Sequence, residues 1–160
     1  MSKDAFEQFM QHMPLEGDMD LIVLKGHLLV QEGLWSILEK RLKNPKVVEK
    51  NDQQFGFFQL MCVGQALVEE DEVQFHEANW LWNSIVKLNE LRNKIAHKLD
   101  CAGLEDRINY IISLPPEKLD GMNGNTTTIN RFSYACFQMC LMLEILATPI
   151  DWQLIEYEAD

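Results

Sequence analysis

The chain is short of positive charge. Its 14 lysines and arginines stand against 25 aspartates and glutamates, a formal net charge of −11 over 160 residues. Such a surface repels nucleic acid at long range, so any contact with RNA has to be made by a local basic patch. Cysteine is sparse and badly spaced for metal. Cys62, Cys101, Cys136 and Cys140 form no Cys-x-x-Cys pair, and His12, His27, His76 and His97 do not cluster with them. Zinc is not expected, no other cofactor is indicated, and Cys136 and Cys140 suit buried thiols better than a disulfide. No apolar run approaches the length that spans a membrane, and Met1-Ser2-Lys3-Asp4 lacks the apolar core of a signal peptide. The expectation is a reduced, cytoplasmic protein with no membrane partner. Also missing are a phosphate-cradling glycine loop, a nucleophile elbow, internal repeats and low-complexity tracts. No segment alternates apolar and polar residues convincingly, which argues against a sheet.

What is present has helical period. With 47% hydrophobic residues, the chain can fill one core of ordinary size, so residues 1–160 read as one domain with its core at 18–147 and an acidic tail at 150–160. A short helix is expected over 4–12, and a long one over 18–43 with Asp18 as N-cap. Leu21, Leu24, Leu28, Trp35, Leu38 and Leu42 make the expected seam of the long helix, with Gln31 its polar member. Gly26 and Gly33 share a face where another helix could approach closely. Further helices are expected over 53–68, 75–98, 103–113 and 127–147, the last capped by Thr126 or Thr127. Glu69-Glu70-Asp71-Glu72 reads as a solvated turn, and 115–125 as a loop. The fold class is all-α: an antiparallel bundle of about four main helices with short accessory helices.

The informative stretch is 88–99, Leu-Asn-Glu-Leu-Arg-Asn-Lys-Ile-Ala-His-Lys-Leu. Leu81, Ile85, Leu88, Ile95 and Leu99 keep a core-facing rhythm, and the slot that would complete it holds Arg92. An unpaired buried charge is expensive. One reading pairs Arg92 with a carboxylate such as Glu32 and assigns Lys94, His97 and Lys98 to the negative end of the helix dipole. The other assigns chemistry. Arg92 can grip a phosphate bidentately, Asn93 can orient it, and the His97 imidazole can move a proton near neutral pH. Lys87, Lys94 and Lys98 would add phosphate contacts, with Asn89, His27 and Glu32 in support. His27 itself reads as a hydrogen-bonded interface residue. Lys40, Arg41, Lys43, Lys46 and Lys50 form a second basic cluster. Trp35, Trp80 and Trp82 read as core or interface. On a straight helix His97 lies about 140° from Arg92, so one unbroken helix does not place them side by side.

Arg92-Asn93-Lys94-Ile95-Ala96-His97 resembles the signature of the HEPN superfamily, an arginine, a polar residue and a histidine late in a helix of an all-α bundle. The resemblance implies a homodimer in which two motifs face one cleft and cut RNA without metal, in a defence or toxin–antitoxin setting. Arg92 would stabilise phosphate, His97 would be the acid/base, and Asn93 the polar neighbour. RNA and a protein partner or antitoxin are the implied partners. Leu99 stands where toxin members often carry a tyrosine, so control through that tyrosine is not implied. The chain is also similar to the mannitol operon repressor family. That resemblance implies a non-catalytic helical regulator or interaction module.

Overall fold

Asp18 begins the first helix by accepting a hydrogen bond on its side chain from the Asp20 N–H at 3.0 Å. The structure is a computed structural model describing residues 9, 11–13, 16–49, 55–97, 102–119 and 126–151. Seven helices are bounded within them: α1 (Met19–Arg41), α2 (Pro45–Glu49), α3 (Phe57–Leu67), α4 (Glu70–Phe75), α5 (Leu81–Ala96), α6 (Leu104–Ser113) and α7 (Thr128–Ala147). No strand occurs among the described residues. The all-α bundle expected from the periodicity is what the chain forms. Most of the 4–12 helix lies outside the described residues, but Phe9 is helical and sets its ring edge-on to Phe137 at 5.4 Å.

The long helix α1 lies at the centre, packed against α3, α5 and most extensively α7. The face it buries matches the expected seam only in part: Leu38 is buried and Trp35 and Leu42 pack against the core, but the first half of the seam lies largely outward. Leu21 and Leu28 remain 49% and 53% exposed, whereas Ile22, Val23, Gly26, His27, Val30, Leu34, Ile37 and Leu38 are buried. A helix apolar on two sides does not declare its inner face, and here the glycines decide it. A Cβ on Gly26 would sit 2.7 Å from Cys136 Sγ, and one on Gly33 2.9 Å from Leu143 Cδ1. Only glycine admits α7 this closely. By length and composition α1 also qualifies to cross a bilayer, contrary to the reading of the sequence; in this fold its inner face is the core of the bundle.

The register of these contacts gives helix directions. His27 stacks on Phe57 while Leu34 and Leu38 border Gly64, so α1 and α3 run in the same sense. Gly26 meets Cys136 and Gly33 meets Leu143, so α1 and α7 do as well. Longer connections allow these parallel neighbours. The expected antiparallel arrangement joins α5 to α6, where Asn83 reaches Tyr110 and Glu90 approaches Arg107.

Two expectations fail around 69–80 for a shared reason. The acidic run is the first turn of α4, not a solvated turn. Glu69 caps it, with Glu72 returning a hydrogen bond to the Glu69 N–H at 3.1 Å. Glu72 is only 2% exposed. Its carboxylate takes the Arg41 guanidinium at 2.8 Å and the Ile150 N–H at 2.8 Å. Arg41 also donates to the carbonyls of Leu67 (3.0 Å) and Leu146 (2.7 Å). One buried ion pair thus closes the ends of α1, α3, α4 and α7. The helix expected from residue 75 starts only at Leu81, because α4 ends in a left-handed turn. Glu77 has φ 51°, Ala78 N–H donates to Val73 C=O at 2.8 Å and Glu77 N–H to Gln74 C=O at 3.0 Å. Thr127 caps α7, accepting from Asn130 N–H at 3.2 Å.

Candidate functional site

The site residues gather on the C-terminal half of α5. Leu81, Ser84, Ile85, Leu88 and Leu91 are its buried face. Beyond Leu91 the core thins, and Arg92, Asn93, Lys94 and Ile95 are all half-buried. Arg92 therefore sits at the rim of the core rather than within it, and Leu91 takes the inner position that the sequence spacing had assigned to Arg92. This lowers the desolvation penalty that made the arginine look anomalous.

Arg92 does not pair with Glu32. Glu32 is exposed on α1, and among the described residues no carboxylate forms an ion pair with Arg92. Instead Arg92 Nη1 donates to Asn93 Oδ1 at 3.1 Å. One edge of the guanidinium is braced by its neighbour, and among the described residues no carboxylate takes its remaining N–H groups, which have the geometry to grip an anion.

His97 closes α5 as its C-cap, with its N–H on the Asn93 carbonyl at 3.1 Å. The side chain is exposed. Since α5 stays helical through Ala96, no kink swings His97 toward Arg92. The imidazole that the fold does place beside Arg92 is His27, from α1. It is 5% exposed, its Nε2 lies 3.1 Å from Asn89 Oδ1, and its ring stacks on Phe57 with centroids 3.9 Å apart. With Oδ1 facing it, Nε2 carries the donated proton. Burial holds the His27 pKa below its ordinary value of 6.5; the bond to Asn89 opposes that, and the Arg92 charge adds to it. The ring is therefore mainly neutral at pH 7.

The basic patch is smaller than the residue count suggests. Lys87 pairs with Glu90 at 2.9 Å, and Arg107 stands 3.9 Å from the same carboxylate. Lys87, Asp106, Arg107 and Tyr110 line a cavity of about 420 Å³ between α5 and α6. Arg107 went unnoticed in the sequence because only the α5–α6 packing brings it to Lys87. Lys98 lies outside the described residues, and among those residues Arg92 and Lys94 have no carboxylate partner. The second basic cluster is dispersed. Arg41 is buried on Glu72, Lys40 pairs with Glu144, and Lys50 lies outside the described residues.

The remaining expectations concern packing. Trp35, Trp80 and Trp82 are partly buried against the core. Cys136 is buried, its thiol pushed well up by burial and by Cys140; burial and the Glu32 carboxylate push Cys140 up to about 12. Both thiols are unreactive in kind. Among the described residues no group of His, Cys, Asp and Glu is placed to hold a metal ion.

No family model matches this chain, and no curated protein or solved structure matches it.

Proposed function

We propose that this chain is an RNA-binding protein whose motif becomes a metal-independent endoribonuclease site when two copies meet. The observation that carries this reading is the state of Arg92: half-buried, braced by Asn93, and without a carboxylate among the described residues. A guanidinium held this way is prepared for a phosphodiester, whose two oxygens match its fork. His97 supplies the mobile proton from the exposed end of the same helix. In a homodimer, His97 of one copy would take the proton from a ribose 2′-hydroxyl. The 2′-oxygen then bonds to phosphorus, and the proton that His97 took passes back, directly or through water, to the departing 5′-oxygen. Arg92 of the second copy would stabilise the charge gathering on the phosphoryl oxygens. The products are a 2′,3′-cyclic phosphate and a free 5′-hydroxyl, and DNA, lacking the 2′-hydroxyl, is resistant. The resemblance to the HEPN superfamily supports the same assignment, with a defence or toxin–antitoxin role and an antitoxin as protein partner.

The test is cleavage of RNA in EDTA by wild type, Arg92→Ala and His97→Ala. The reading expects activity in the wild type and its loss in both variants; equal activity in all three, or none in any, sinks the catalytic claim.

The position of His97 favours a second reading. It is exposed at the end of α5, about 140° around the helix from Arg92, on a chain of net charge −11. This suits a non-catalytic helical regulator of the mannitol operon repressor type acting through protein contacts. It expects Arg92→Ala mainly to lower thermal stability, and a pull-down to recover protein rather than RNA. Lost RNA binding with unchanged stability would count against it.

A further inference from the structure

Helix geometry sets the two halves of the motif about 140° apart around α5, but a different imidazole packs on that helix one turn before Arg92. His27 reaches it from α1 and is fixed on three sides: Asn89 at 3.1 Å, the Phe57 ring at 3.9 Å, and burial that leaves 5% of the residue exposed. Asn89 and Asn93 lie one turn apart on α5, so α5 presents Asn89 to His27 and Asn93 to Arg92 on adjoining positions.

The surroundings of His27 hold almost no competing charge. On α3 the only acid or base is Cys62, which is exposed. On α5, Lys87 and Glu90 are paired with each other, and Arg92 is the group whose charge bears on His27. On α7, Glu144 is taken by Ser36 and Lys40, and Cys136 lies against Gly26. On α1 itself, Lys25 and Glu32 are exposed. Placing a negative charge on Arg92 therefore alters the dominant field at His27.

We propose that His27 is a proton-linked positioning residue of the Arg92 anion site: it takes up a proton when a phosphodiester docks on Arg92, so RNA is held more tightly as the pH falls. The inference rests on the reading of Arg92 as an RNA phosphate grip. The free protein keeps His27 neutral, because a second cation beside Arg92 in a low-dielectric setting is unfavourable. A bound phosphate cancels the Arg92 charge and removes that obstacle. The imidazolium still donates to Asn89 from Nε2, so protonation keeps the contact that docks α5 on α1. By reciprocity, a ligand that raises the His27 pKa binds better to the protonated protein.

The experiment uses the whole chain, histidine-labelled for NMR, and a single-stranded 2′-O-methyl RNA oligonucleotide that cannot be cut. The His27 ring resonances are titrated without RNA and at saturation, with inorganic phosphate as a parallel arm. The proposal expects the His27 pKa to rise by at least about half a unit with RNA, and affinity to tighten as the pH falls from about 7.5, by up to about threefold for each half unit of rise. His97→Gln should retain a pH response that His97→Gln with His27→Gln has lost. A rise with RNA but not with phosphate assigns the effect to the polymer; a rise with both assigns it to the phosphate group. RNA that binds while the His27 pKa stays fixed overturns the proposal and leaves the RNA reading standing. Failure of the wild type to bind RNA at any pH overturns both.

Discussion

Arg92 is unusual for what surrounds it rather than for where the spacing puts it. An arginine in an apolar rhythm asks for a carboxylate, such as Glu32 from the first long helix. The fold gives it an amide neighbour and a neutral imidazole instead. The spacing of 81, 85, 88 and 95 is compatible with either Leu91 or Arg92 facing inward. Side-chain solvation decides between them: the leucine goes in and the guanidinium stays at the rim. Glu77 makes the opposite point, because nothing in its neighbours announces a left-handed residue. At φ 51° it carries the steric cost that glycine avoids. Glu77→Gly should therefore stabilise the protein by about 0.5–1 kcal/mol, a rise in Tm of about 1–4 °C by thermal denaturation. An unchanged or lower Tm would show that the Glu77 side chain contributes something its geometry does not reveal.

Among the elements, the existence of the longer helices was legible, while the short α2 and α4 and the inner face of α1 were not. Period and caps place α1, α3, α6 and α7 within a few residues of their observed bounds, and Asp18 and Thr127 cap as their side-chain chemistry requires. The inner face of α1 was misjudged because leucines line its outer side as well. Gly26 and Gly33 held the better signal, since a helix tolerates glycine in its interior only where something must come close. Gly33→Ala tests this. Its Cβ would meet Leu143 Cδ1 at 2.9 Å and Cβ at 3.2 Å. Overpacking costs about 1–3 kcal/mol, against about 1 kcal/mol regained in helix propensity. A net loss is expected in chemical denaturation, and Leu143→Ala should couple to it in a double-mutant cycle. Additive effects would mean that α1 and α7 have room to separate.

For the whole molecule, the buried Arg41–Glu72 pair is the long-range tie that local sequence reading could not see. Arg41 looked like one more surface cation and Glu72 like one more acid in a solvated run. Only the return of α7 brings the Leu146 carbonyl and the Ile150 N–H to them. Burial raises the Glu72 pKa, but the hydrogen bonds from Arg41, Ile150 and Glu69, with the Arg41 charge, bring it below its ordinary 4.5. Its stabilisation is therefore present above pH 4.5 and lost as the pH falls through the lower folded value. His27 acts at higher pH with the same sense. Its folded pKa lies below 6.5, so its contribution is complete above 6.5 and declines as acidification protonates the unfolded chain first. Two descending steps are expected in a stability profile against pH. Glu72→Gln should remove the lower one and cost about 3–5 kcal/mol at neutral pH, because it leaves Arg41 buried without its partner. Retention of the acid step in that variant would assign it to other carboxylates.

The same scale governs function, because one copy of the chain does not bring Arg92 and His97 together. The most direct measurement mixes two variants, Arg92→Ala and His97→Ala, after partial unfolding and refolding to exchange subunits, and follows RNA cleavage in EDTA. The account predicts that each variant alone is inactive and that the mixture regains activity, since a mixed dimer joins Arg92 of one copy to His97 of the other. A mixture that stays inactive, with exchange verified and the wild type active under the same conditions, would contradict it.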